Sequence, residues 1–93
     1  MKILAVCGMG IGTSMILKMQ IEKAVKILGL QAKVDLADIS TARGLAVSAD
    51  IIITSEELAE RIGDVNAPII TITNFMDVNE MTEKLREVIS KSD

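Results

Sequence analysis

The sequence carries its clearest capacity for chemistry in a glycine-rich segment that opens with its single cysteine. The segment consists of Cys7, Gly8, Met9, Gly10, Ile11, Gly12, Thr13 and Ser14. Alternating glycines let the backbone aim its N–H groups at one point, and a helix that follows directly adds its positive N-terminal end. Such a nest binds anions, favours a cysteine thiolate and would hold a phosphoryl group attached to the sulfur. The hydroxyls of Thr13 and Ser14 either bind phosphate oxygens or cap the helix.

Each of these features also has a purely structural interpretation. A lone cysteine after a strand is often a packed, inert thiol, and Met9 and Ile11 could fill the core. The combination is more informative than its parts, because cysteine, glycines and hydroxyls follow one another directly after the apolar run Ile3–Val6. The segment therefore predicts a functional anion site.

Three familiar phosphate-binding loops do not fit this segment. A Walker A loop needs a lysine, and none occurs between Lys2 and Lys18. A dinucleotide-binding loop needs a third glycine where Thr13 stands, and low-molecular-weight tyrosine phosphatases have an arginine at that place. Their Asp-Pro acid is also missing, because Pro68 is the only proline and follows an alanine. A thiolate that accepts phosphate without rapid hydrolysis is a carrier.

Composition excludes several other functions. One cysteine and no histidine leave no zinc site, and we expect neither a metal nor another cofactor. A net charge of −3, one Phe and no Trp or Tyr argue against binding to nucleic acid. The N-terminal apolar run is too short for a signal peptide or a membrane span, so we expect a cytoplasmic protein.

Strands and helices are expected to alternate four times along residues 1–93, as one α/β domain. The strands are predicted at Ile3–Val6, Lys33–Ile39, Asp50–Thr54 and Ile69–Ile72, and the helices at Ser14–Leu28, Ser40–Ser48, Ser55 to near Gly63, and from Asp77 onward. This order implies a parallel sheet covered on both faces, with right-handed crossovers. Ligands of such sheets bind at the carboxyl ends of the strands. Four segments meet there: 7–13, 38–41, 54–57 and 73–77.

The segment Ile3–Met15 closely resembles the active loop of enzyme IIB components of the bacterial phosphoenolpyruvate-dependent sugar phosphotransferase system. The ascorbate and galactitol types, within the lactose/cellobiose-like IIB superfamily, look nearest. Ser48–Ser55 and Asn74-Phe75-Met76 also fit the ascorbate-type pattern. The resemblance implies a three-layer αβα sandwich, Rossmann-like in its connections, with a phosphatase-like active loop.

The resemblance also implies roles and partners. Cys7 would be the phosphocysteine, which takes its phosphoryl group from a phosphohistidine of enzyme IIA, and Gly8 to Ser14 would bind the phosphate. The phosphoryl group would pass to an ascorbate-like or galactitol-like sugar carried by the membrane enzyme IIC. This chain would associate with the membrane only through IIC. Met9, Ile11, Phe75 and Met76 are expected to form an apolar docking surface. Two alternatives remain at this point: a low-molecular-weight-type cysteine phosphatase, and a regulatory module that binds an anion without covalent chemistry.

Overall fold

A four-stranded parallel sheet forms the centre of the molecule, with strand order β2-β1-β3-β4. The computed structural model describes residues 1–7 and 11–92, with side chains at 1–7 and 15–91. In chain order the elements are β1 (Lys2–Val6), α1 (Ile11–Leu28), β2 (Lys33–Ala37), α2 (Ile39–Ala46), β3 (Ile51–Thr54), α3 (Glu56–Ile62), β4 (Ile69–Thr71) and α4 (Val78–Ser92). This arrangement confirms the predicted α/β class and its parallel sheet.

Two apolar clusters, one on each face of the sheet, make this a three-layer molecule. Alternate residues of β1 divide between them, because successive side chains of a strand point to opposite faces. Ile3, Ala5 and Cys7 pack with α1 and α4, whereas Leu4 and Val6 pack with α2 and α3. Cys7 therefore lies on the α1/α4 face of the sheet.

Helix α1 begins earlier than predicted. The sequence placed its first residue at Ser14, but its backbone is helical from Ile11. Of the two alternatives for Thr13 and Ser14, the role of N-cap does not fit this start, because both residues lie within the first turn. Glycine costs a helix only about 0.5–1 kcal/mol, so Gly12 does not prevent this start.

Strand β2 ends earlier than predicted, at Ala37 instead of Ile39. The reason is Asp38, whose side chain accepts a hydrogen bond from Thr41 N and so begins α2 at Ile39. Helix α2 correspondingly ends at Ala46, before the predicted Ser48, and β3 and β4 are each one residue shorter than predicted.

The predicted helix ends after α1 and α3 are confirmed. Gly29 and Gly63 have φ angles of 69° and 72°, in the left-handed region that glycine adopts most easily. Ser55, the predicted first residue of α3, is its N-cap, with its side chain accepting from Leu58 N. Among residues 1–7 and 11–92, no helix is both long and apolar enough to cross a membrane.

Candidate active site

Cys7 directly follows β1, one of the two central strands of the sheet. Its main-chain N–H donates to Ala37 O over 3.1 Å, which extends the pairing of β1 with β2 by one step. Only 4% of the residue is exposed, and it packs within the α1/α4 cluster. The thiol thus occupies a fixed position at the carboxyl edge of the sheet, close to the core.

The proposed phosphate-binding segment is described in part. Gly8, Met9 and Gly10 lie outside the described residues, as do the side chains of Ile11, Thr13 and Ser14. The backbone of residues 11–14 forms the first turn of α1. The first four N–H groups of a helix have no carbonyl partner within it, and they carry the positive end of its dipole. Since only three residues separate Cys7 from Ile11, this helix end follows the cysteine closely along the chain.

Thr54 connects β3 to the main chain next to Cys7. Its Oγ1 donates a hydrogen bond to Val6 O over 2.8 Å, and the residue is fully buried. Val6 O and Cys7 N belong to the same peptide unit. That unit is therefore held from β3 on one side and from β2 on the other.

Asp38 directly follows the neighbouring strand β2, next to the position of Cys7, since Val6 pairs with Ala37. Its Oδ1 accepts from Ser40 Oγ over 2.7 Å and from Thr41 N and Oγ1, each over 3.0 Å. These bonds, led by the one from Ser40, lower the pKa of the Asp38 carboxyl. Asp38 is thus an ionised helix cap and holds no proton to give to a leaving group at neutral pH.

The loop between β4 and α4 is tied down by a carboxylate from its own helix. Glu80 accepts from Thr73 N over 3.1 Å and from Asn74 N over 3.2 Å, and it pairs with Lys84 Nζ at 3.1 Å. The pKa of Glu80 falls to about 2, chiefly because of the bond from Thr73 N. Asp77 caps α4 by accepting from the main-chain N–H groups of residues 79 and 80.

Phe75 and Met76, which are expected from the sequence to contribute to a docking surface, differ in exposure. Phe75 is half-buried and packs against the α1/α4 cluster, whereas Met76 is 64% exposed. Met76 O accepts from Gln20 Nε2 of α1 over 3.4 Å, which joins the loop to the helix that follows Cys7. Three further exposed apolar side chains lie on α1 just before Gln20: Met15, Ile16 and Met19. We call these three and Met76 the methionine patch.

Two other features of the described residues provide no second candidate site. No group of three His, Cys, Asp or Glu side chains among them could hold a metal ion. A depression of about 240 Å³ is lined by Arg43, Ala46, Val47, Asp64, Val65 and Asn66. It lies where α2 and α3 end, at the amino edge of the sheet, and so on the side opposite Cys7.

The sequence predicts Cys7 and Met76 as site residues, and it does not indicate the hydrogen bonds of Thr54 and Glu80 or the exposed side chains of α1. Thr54 was visible as the last residue of a buried strand and as the first residue of segment 54–57 at the carboxyl edge, but no pattern pointed to its hydrogen bond. Glu80 had a better signal, since Asp77 and Glu80 have the spacing of a capping box. In the structure, Glu80 reaches past the cap to the loop before it.

Comparison with known proteins gives a consistent result. Residues 2–87 match the family model described as PTS system, Lactose/Cellobiose specific IIB subunit. The chain is 41% identical over 88 residues to the ascorbate-specific PTS system EIIB component of Mycoplasma pneumoniae, covering 94% of this chain and 93% of that one. It is 32% identical over 91 residues to the protein of the same name from Salmonella choleraesuis, covering 97% and 90%. The solution structure of a cellobiose-specific phosphotransferase IIB component from Borrelia burgdorferi shares the fold, with a TM-score of 0.61, 23% identity and coverage of 98% and 89%.

Proposed function

The chain belongs to the lactose/cellobiose-specific IIB family of the PTS, the sugar phosphotransferase system, and from this membership we propose that Cys7 is the residue that carries the phosphoryl group. Members of this family are phosphotransferases that act in sugar transport. The observation that carries the proposal is the position of Cys7, directly after a central strand and separated by three residues from the first turn of α1. No histidine and no second cysteine compete for the role.

In the first step, the phosphoryl group comes from a phosphohistidine on a IIA component. The Cys7 thiolate attacks phosphorus in line with the histidine nitrogen, so an S–P bond forms as the N–P bond breaks. The electron pair of the broken bond stays on the imidazole nitrogen. We propose that the main-chain N–H groups of Gly8 to Ser14, with the hydroxyls of Thr13 and Ser14, hold the phosphoryl oxygens.

In the second step, the group passes to a sugar bound by a IIC component. A sugar hydroxyl oxygen attacks phosphorus, the S–P bond breaks, and the thiolate of Cys7 is restored while the hydroxyl proton leaves to a base. The phosphorylated sugar is released. The nest that favours the thiolate also makes it a good leaving group, so the same residues serve both steps.

Hydrolysis is expected to be slow because the site lacks what a phosphatase uses. Thr13 stands where the phosphatases have an arginine, whose planar fork clamps phosphate oxygens. Asp38, which follows the strand paired with β1, is ionised and engaged in capping α2. Both points favour a carrier over the cysteine phosphatase, and a covalent intermediate would exclude a module that only binds anions.

The sugar that we propose is ascorbate or a close analogue. Support comes from relatives named ascorbate-specific, of which one is 41% identical to this chain. A galactitol-like sugar remains the alternative.

We propose that the IIA component docks on the methionine patch. Its members follow the first turn of α1 or lie in the loop that contacts α1, the helix that begins shortly after Cys7. Exposed methionines suit such a role because their flexible, polarisable side chains adapt to a partner. Met9 and Ile11 would extend the same surface, and Phe75 would lie beneath it, packed against the α1/α4 cluster.

The experiment that tests the proposal is uptake of phosphate by wild type and Cys7→Ser. The protein is incubated with phosphoenolpyruvate, the general phosphotransferase proteins and candidate IIA components in turn, and intact mass is measured. Wild type should gain one phosphoryl group and Cys7→Ser none, with unchanged circular dichroism. Uptake that persists in Cys7→Ser would refute the assignment.

A further inference from the structure

The peptide unit between Val6 and Cys7 is held from two strands at once. Because a peptide unit is planar, Val6 O and Cys7 N keep a fixed relation, and a bond to either atom orients both. Cys7 N donates to Ala37 O of β2 over 3.1 Å, and Thr54 Oγ1 of β3 donates to Val6 O over 2.8 Å. The main chain that carries the reactive sulfur is therefore anchored on both sides.

The anchor on the β3 side is a side chain because the strand ends there. Ser55 caps α3, so the chain leaves the sheet immediately after Thr54. Valine would have nearly the same shape as threonine at this buried position but would leave Val6 O without its donor. A hydroxyl at residue 54 is thus a specific requirement of this peptide unit and not of packing alone.

We propose that Thr54 is a positioning residue for phosphoryl transfer, an inference that rests on the proposed function of Cys7. By strand alternation Thr54 lies with Ile52 on the α2/α3 face, opposite Cys7. It can therefore fix the Cys7 main chain without occupying space where the phosphate must bind. In-line displacement depends on the position of the attacking sulfur, and a misplacement of about 1 Å can cost about a hundredfold in rate.

The test compares Thr54→Val, which removes only the hydroxyl, with Thr54→Ser, which keeps it. The matched control is Thr82→Val, because Thr82 is also a buried threonine and its Oγ1 donates to Val78 O over 2.7 Å within α4. Both Val variants lose one buried hydrogen bond, but only one of those bonds reaches the Cys7 peptide. The rate of phosphoryl uptake, measured at several concentrations of the phosphorylated IIA component, gives kcat and KM. The melting temperature reports the stability of each variant.

Thr54→Val should lower kcat by about 10- to 100-fold with little change in KM, and Thr54→Ser should restore it to within about threefold. Thr82→Val should keep the wild-type kcat, with a smaller fall in melting temperature because Val78 O keeps the helical N–H of Thr82 as a donor. The inference is wrong if Thr54→Val transfers at the wild-type rate, if Thr54→Ser is equally slow, or if Thr82→Val is slowed as much. Should Thr54→Val fail to fold, Thr54→Ala replaces it with the same expectation. Uptake by Cys7→Ser would instead refute the proposed function itself.

Discussion

Replacing Glu80 by glutamine should destabilise the protein in a pH-dependent way. Glu80 accepts from two main-chain N–H groups and pairs with Lys84, and these contacts lower its pKa from 4.5 to about 2. At about 1.36 kcal/mol per pH unit this fall corresponds to about 3 kcal/mol of stability, as an upper limit. Since 20% of the side chain is exposed, solvent screening reduces the value, and we expect Glu80→Gln to lose about 2 kcal/mol at pH 7.

The sign of the pH dependence follows from the direction of the change in pKa. A carboxyl whose pKa is lower in the folded state stabilises fully above its unfolded pKa, and this stabilisation is lost as pH falls toward the folded pKa. The difference in free energy of unfolding between wild type and Glu80→Gln should therefore shrink from pH 4.5 toward pH 2.

Urea unfolding followed by circular dichroism is the suitable assay, because the chain has no Trp or Tyr for fluorescence. The matched control is Glu83→Gln on the same helix, whose side chain is 68% exposed and pairs with Arg86 at 3.4 Å. It should change stability by less than about 0.5 kcal/mol at any pH. A Glu80→Gln loss as small as that of the control, or one that stays constant down to pH 3, would refute the reasoning.

Three further predictions concern the site. The Cys7 thiol should react with iodoacetamide at pH 7 faster than a model thiol, and phosphate should slow the reaction; a slower, unprotected reaction would indicate a packed, inert thiol. Thr13→Arg should raise aryl-phosphatase activity, measured with a chromogenic aryl phosphate, because it supplies the missing fork; no increase would count against this account of slow hydrolysis. Met19→Ser should raise the KM for the phosphorylated IIA component about fivefold without changing the melting temperature. The control is Ile27→Ser, at the far end of α1, where the side chain is 61% exposed; this variant should leave the KM unchanged. Equal effects of the two variants on the KM would contradict docking at the methionine patch.

Strands β1 and β3 were predictable because a short, continuous apolar run is typical of a strand that is buried on both faces of a parallel sheet. Ile51, Ile52 and Ile53 are all almost completely buried, as a continuous run of this kind indicates. Helix ends were predictable where a single residue determines them, as Gly29 and Gly63 do through their positive φ. The start of α1 was not, because glycines in a first turn are compatible with either a loop or a helix.

The position of Cys7 at the carboxyl edge was also predictable, since it follows the first apolar run. The hydrogen bond from Thr54 to Val6 O was not predictable, because threonine is common in strands for its β-branched shape alone. Its partner, Val6 O, is a main-chain atom that no pattern in the sequence points to. Likewise, the bonds of Glu80 to Thr73 and Asn74 depend on how α4 lies against the preceding loop, which spacing alone does not define.

The most direct test of the central claim is the fate of phosphate already bound to Cys7. The protein receives labelled phosphate from its IIA component and is then separated from that component. The label that stays bound is followed over time under three conditions: buffer alone, unphosphorylated IIA, or IIC with sugar. A carrier should keep its phosphate in buffer for minutes or longer and lose it rapidly to IIA or to the sugar. If the wild-type protein loses phosphate to water as fast as to these partners, the carrier mechanism is contradicted.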